Sequence, residues 1–163
     1  MRGLHRAAAG KTGGVSSPYY WFDDYHTAAA AGVFLLTQDR RLVLQLRDDK
    51  PGIHYPGMIA AFGGGAEPGE TAEECALREL AEETGIQAHP EDLLHLDAVS
   101  KLDVRGRPTA SVFFFLQRDI DPDTLVVTEG AAIVLSFAEA AADPRLTDNC
   151  RRLSAQIAAM LRQ

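Results

Sequence analysis

The chain has 163 residues, 46% of them hydrophobic, which is enough for one domain with a real core. A net charge of −7 and a pI near 5.1 argue against a surface that grips polymeric nucleic acid. They leave room for a nucleotide substrate, because a bound cation reverses the local field. No apolar run reaches the length of a membrane span. Cys75 and Cys150 stand far apart in no metal-ligand spacing and read as reduced thiols of a cytoplasmic protein.

Residues 1–17 are rich in Ala, Gly and Ser and carry Arg2, Arg6 and Lys11 without an apolar segment of signal-peptide type, so they read as a flexible leader before one domain over 18–163. The aromatic cluster from Ser17 to Phe22 either covers a core edge or stacks on a base or a partner subunit. Ala28 to Leu36 is apolar throughout and ends at the polar turn Thr37-Gln38-Asp39-Arg40. Arg41 to Arg47 alternates, and together the two segments predict a hairpin. Pro51-Gly52 and Pro56-Gly57 mark a loop, and Met58 to Phe62 predicts a short strand entering a glycine run.

The stretch from Gly64 to Ile86 organises the rest. Thr71 with Glu74 three residues on predicts a capped helix start, and Thr84-Gly85 predicts its end. At about 100° per residue, Glu79, Glu82 and Glu83 fall within an arc of roughly 100°, beside an apolar arc of Ala72, Ala76, Leu77 and Leu80. Like charges at this spacing repel. Such an edge is either a solvated acidic face or a seat for a hard divalent cation.

Beyond the helix, Leu93 to Val104 and Thr109 to Gln117 read as strands joined at Arg105-Gly106-Arg107-Pro108, and the run Phe113-Phe114-Phe115 suits a strand buried on both faces. Leu125 to Val127 and Ala132 to Leu135 are strand candidates around Glu129-Gly130. Phe137 to Ala142 reads as a helical turn, and Thr147 to Arg162 as an amphipathic helix with Cys150, Leu153, Ile157 and Leu161 on one face. This order predicts an α/β fold with a mixed sheet between helices.

The central stretch reads Gly-x5-Glu-x7-Arg-Glu-Leu-x-Glu-Glu-x-Gly-Ile. A chance match at average residue usage has a probability on the order of 10⁻⁷. It resembles the Nudix box with every signature position filled. The resemblance implies an α/β/α sandwich and Mg²⁺-dependent hydrolysis of a phosphoanhydride, with Mn²⁺ as a substitute. It implies Glu79, Glu82 and Glu83 as metal ligands, assisted by the backbone carbonyl of Gly63, while Gly64 lets the chain approach metal and phosphate. Arg78 is expected to pair with Glu82 and with Glu70, holding loop against helix as an indirect support.

The general base is either a box glutamate, Glu82 or Glu83, or Glu129 from a later turn. Arg47 reads as a phosphate-gripping cation or a solvated strand-end residue, with Lys50, Lys101 and Arg105 as weaker candidates. His54 and Tyr55 lie in the loop before the box and are expected to contact a base or a sugar, or simply to face solvent. Secondary motifs that mark substrate are absent: Lys101 stands where ADP-ribose enzymes often have proline, and Leu102, Asp103 and Val104 fill the region where dinucleoside polyphosphate enzymes often have tyrosine. The expected substrate is a small-molecule diphosphate, namely a nucleotide sugar, an ADP-ribose-like compound or a nucleoside triphosphate. A non-catalytic nucleotide sensor and a hydrolase of isoprenoid-type diphosphates are the alternatives. A homodimer is the family default, with no membrane or nucleic-acid polymer as partner.

Overall fold

The computed structural model describes residues 4–6, 20–22, 28–102, 106 and 108–163. In chain order the strands are β1 (Leu4–Arg6), β2 (Tyr20–Phe22), β3 (Ala28–Leu36), β4 (Leu42–Leu46), β5 (Ile59–Ala60) and β6 (Phe62–Gly65). Helix α1 (Ala72–Thr84) follows, then β7 (Leu93–Leu102), β8 (Pro108–Asp119), β9 (Ala131–Leu135), α2 (Phe137–Ala142) and α3 (Asp148–Leu161). Within the stretch expected as a leader, β1 pairs antiparallel with β2 in a separate two-stranded ribbon. Ser17, Pro18 and Tyr19 of the aromatic cluster lie outside the described residues, as do Asp103, Val104, Arg105 and Arg107.

Among the described residues, β3 to β9 form one mixed sheet in the order β5-β4-β3-β8-β7, with β6 also on β3 and β9 also on β4. Only β3 and β8 run parallel. The alternation of side chains across β3 explains why it is apolar throughout. Ala31, Val33 and Leu35 face a core shared with Ala72, Cys75, Ala76 and Leu80 of α1. Phe34 and Leu36 face the opposite core, with Cys150, Leu153 and Ile157 of α3. The Phe113–Phe115 run divides in the same way, with Phe114 toward α1 and its two neighbours toward α3. The result is the α/β/α sandwich expected from the sequence.

Local differences from the expected elements have local causes. The strand expected over Met58 to Phe62 breaks at Ala61, whose N–H leaves the ladder to donate to Cys150 Sγ at 3.3 Å. Leu125 to Val127 is not a strand. Its backbone instead closes the end of α1, with Val126 N–H donating to Thr84 O at 3.0 Å and Thr128 N–H to Glu83 O at 3.2 Å. Terminal helix carbonyls need donors, and this segment supplies them. Both cysteines are free and buried, and burial pushes the Cys75 thiol up to about 12. No helix among the described residues is long and apolar enough to cross a membrane.

Candidate active site

Helix α1 has the caps that the sequence predicts. Thr71 Oγ1 accepts from Glu74 N–H at 3.1 Å, Glu74 Oε2 accepts from Thr71 N–H at 3.0 Å, and Gly85 ends the helix at φ 78°. Glu79, Glu82 and Glu83 therefore sit in the last two turns, with no basic residue in the last one. The negative end of the helix dipole adds to their mutual repulsion, so this edge favours a cation twice over.

Arg78 brings a cation to this edge. Its guanidinium forks onto both oxygens of Glu70, with Nη2 at 3.0 Å from Oε2, and donates to Gly65 O at 3.0 Å. Nη1 reaches Glu79 Oε1 at 2.9 Å and Glu82 Oε2 at 3.3 Å. Glu70 in turn accepts from Glu67 N–H at 2.8 Å, which fastens the loop to the helix. Bonding to Arg78 holds the Glu70 carboxyl below its ordinary value. Burial pushes Glu79 up, with Arg78 opposing and the charges of Glu82 and Glu129 adding to the rise.

Glu83 turns the other way, onto the glycine strand. It is 4% exposed, and its Oε2 accepts from Gly63 N–H at 2.9 Å. Burial pushes its carboxyl up to about 7, against the Gly63 N–H and with help from the charges of Glu79 and Glu129. The glycines make the close approach possible. A Cβ on Gly63 would lie 2.0 Å from Ala31 O of β3, and one on Gly64 would lie 2.6 Å from Glu79 Cδ. Gly64 thus leaves the space that the Glu79 carboxylate fills.

Glu129 is exposed, on the loop that closes α1, where Thr128 Oγ1 donates to Glu82 O at 3.0 Å. The loop is also held by a residue that the sequence reading missed. Gln45 is 1% exposed, and its Nε2 donates to Glu129 O at 3.0 Å. A lone amide within the apolar alternation of β4 was the available signal. An open cleft lies here, lined by Gln45, Arg47, Lys50, Ile53, Glu129 and others. Arg47 reaches it half-buried, with Nε donating to His54 O at 2.6 Å, while Lys50 pairs with Asp48 at 3.5 Å. Tyr55 is 57% exposed at φ 51°, and the His54 side chain is also exposed. Arg105 and the Lys101 side chain lie outside the described residues.

The structure thus joins Glu70, Arg78, Glu79 and Glu82 in one network and sets Glu83 and Glu129 within electrostatic range of Glu79. Among the described residues no three acidic, His or Cys side chains converge closely enough to hold a metal ion. Arg78 binds Glu79 and Glu82, while Gly63 N–H binds Glu83. The donor chemistry nevertheless fits a hard divalent cation: all-oxygen donors, with like charges raising one another.

A sandwich with an acidic helix edge over a glycine strand defines the class, and comparison with known proteins agrees. Residues 26–155 match the model of the NUDIX domain, and the chain belongs to that family. An ADP-ribose pyrophosphatase of Methanocaldococcus jannaschii is 34% identical over 79 residues, which cover 48% of this chain and 45% of that protein. The nucleoside triphosphatase NudI of Escherichia coli is 48% identical over 46 residues, covering 28% of this chain and 31% of that protein. The chain therefore spans less than half the length of these curated relatives. The crystal structure of a MutT protein from Methanosarcina mazei Go1 superimposes with a TM-score of 0.65 at 16% identity, covering 82% of this chain and 94% of that one. At that identity the likeness concerns the fold alone.

Proposed function

We propose that the protein hydrolyses a phosphoanhydride bond in a nucleoside diphosphate linked to a second group, with nucleotide sugars and ADP-ribose-like compounds first among the substrates and nucleoside triphosphates next. The observation that carries this reading is the grouping of Glu79, Glu82, Glu83 and Glu129 on one edge, beside a cleft that Arg47 and Lys50 line. Glu79, Glu82 and Glu83, with the Gly63 carbonyl, would hold Mg²⁺ or, in its place, Mn²⁺. Bound there, the cation neutralises phosphate oxygens and stabilises the leaving phosphate.

The chain's own groups do the rest. Arg47 binds a substrate phosphate from the cleft wall, with Lys50 beside it. Tyr55 and His54, on the exposed loop, meet the base or sugar. Arg78 and Glu70 keep the glycine loop against the helix. Glu129, tethered through its carbonyl and through Thr128, takes the proton of the attacking water. An unchanged turnover in Glu129→Gln assigns that proton to a box glutamate instead. A cytoplasmic location, a homodimer, and the absence of membrane or nucleic-acid partners belong to the same reading.

The deciding experiment is phosphate release from nucleotide sugars, ADP-ribose, dinucleoside polyphosphates, nucleoside triphosphates and isoprenoid diphosphates, each with Mg²⁺ and with Mn²⁺. Metal-dependent turnover of the nucleoside diphosphate class is expected. Turnover of isoprenoid diphosphates alone would replace the substrate assignment. No turnover at all, with nucleotides still raising the melting temperature, would replace the enzyme with a sensor.

A further inference from the structure

Gln45 is a polar residue in a place that the pattern of its strand reserves for apolar ones. Its neighbours Leu42, Val43 and Leu44 are fully buried, and Gln45 itself is 1% exposed. Its backbone pairs with Ala60 of β5 on one side and Ala132 of β9 on the other, so the residue cannot shift along the sheet. A buried amide left without partners costs about 1–3 kcal/mol, so its bonds must be made.

They are made to two different parts of the site. One amide N–H donates to the Glu129 carbonyl at 3.0 Å. The amide oxygen accepts from Arg47 Nη1 at 3.4 Å. A glutamine amide can donate and accept at once, and here it does both toward groups of the site. The loop between β8 and β9 and the end of β4 meet at this one amide.

We infer that Gln45 is a positioning residue that sets the loop carrying Glu129 and the cleft arginine Arg47 in one register. The inference rests on the hydrolase reading and deepens it. Gln45 is one of the residues lining the cleft, and it acts through the two groups it holds. Its role differs from that of Arg78, which ties the glycine loop to the helix.

The test compares wild type with Gln45→Met, which keeps the length and apolar bulk of the side chain and removes the amide. kcat and KM are measured on whichever diphosphate wild type hydrolyses, for Gln45→Met alone and combined with Glu129→Gln. A misplacement of about 1 Å can cost about 100-fold, so kcat should fall at least about tenfold. KM should rise as Arg47 loses this bond, and in the Glu129→Gln background the fall in kcat should vanish, which a merely structural loss would not do.

A Gln45→Met protein with wild-type kcat and KM overturns the inference and leaves the hydrolase reading standing. So does a fall in kcat that persists undiminished in the Glu129→Gln background. A wild type that hydrolyses nothing in the panel overturns the hydrolase reading and the inference with it. If Gln45→Met does not fold, Gln45→Asn takes its place: it keeps an amide whose reach is one methylene short, and wild-type kinetics in that protein overturn the inference.

Discussion

Gly63 N–H donates to Glu83 Oε2 at 2.9 Å, joining the glycine strand to the last turn of α1. One bond therefore links a β-ladder residue to a proposed metal ligand, and it holds a carboxyl that is only 4% exposed.

That burial has a consequence for stability. The Glu83 carboxyl stands at about 7 in the fold, against an ordinary value of 4.5. Between these values the folded state binds more protons than the unfolded state. Its contribution is therefore fully present below pH 4.5 and is lost as pH rises through 7. The difference is worth up to about 3 kcal/mol. In metal-free protein at pH 8, Glu83→Gln should raise the melting temperature by several degrees, and the gain should vanish at pH 4. The same substitution should lower kcat by about 100-fold or more, since a ligand matters at least as much as its supports. Calorimetry and steady-state kinetics on one preparation check both outcomes.

Added metal should reverse the cost. Without a cation, three glutamates crowd the negative end of a helix. Mg²⁺ or Mn²⁺ at about 100 times its dissociation constant should stabilise the fold by about 2.7 kcal/mol. For a chain of this size that is a rise of roughly 5–10 °C in melting temperature. Millimolar metal that leaves the melting curve where it was would count against the cation site.

Two adjacent glycines should answer differently to alanine. At Gly64 the new Cβ would meet the far end of the flexible Glu79 side chain, which can move aside. Stability should change by less than about 1 kcal/mol while metal-dependent turnover falls at least about tenfold. At Gly63 the Cβ would meet the backbone oxygen of Ala31 at 2.0 Å, and the ladder itself must give way. A loss of about 3 kcal/mol or more is expected there. Urea unfolding of both variants, with kinetics of the first, separates the cases.

Arg78→Lys keeps the charge and discards the fork. The two-oxygen grip on Glu70 and the bond to Gly65 O come from guanidinium geometry, which an ammonium cannot copy. The variant should lose about 1–2 kcal/mol of stability and about 10–100-fold in turnover. Glu70→Gln should show a smaller loss of the same kind, and a larger loss there would assign Glu70 a role beyond holding Arg78.

Much of the site could be read from the chain because it lies within one capped helix. Spacing alone puts Glu79, Glu82 and Glu83 on one edge, and Thr71 with Glu74 marks where the helix starts. The pairing of Arg78 with Glu82 follows from the same short range, and that with Glu70 is implied by the resemblance to the Nudix box. The apolar run of β3 and the triple phenylalanine of β8 announce strands buried on two faces, and so a sandwich.

What only the tertiary structure decided depends on contacts between distant residues. Gln45 and Glu129 are 84 positions apart, and no local pattern says that one holds the other. Leu125 to Val127 has strand-like residues, yet its N–H groups close α1 because the helix end lies beside it. Ala61 leaves the ladder because Cys150, 89 positions away, offers a sulfur. Helix caps and helix faces depend on neighbours within a few residues, so the sequence determines them by itself. The destination of a buried amide or a spare backbone N–H depends on which groups the packed sheet and helices bring within reach.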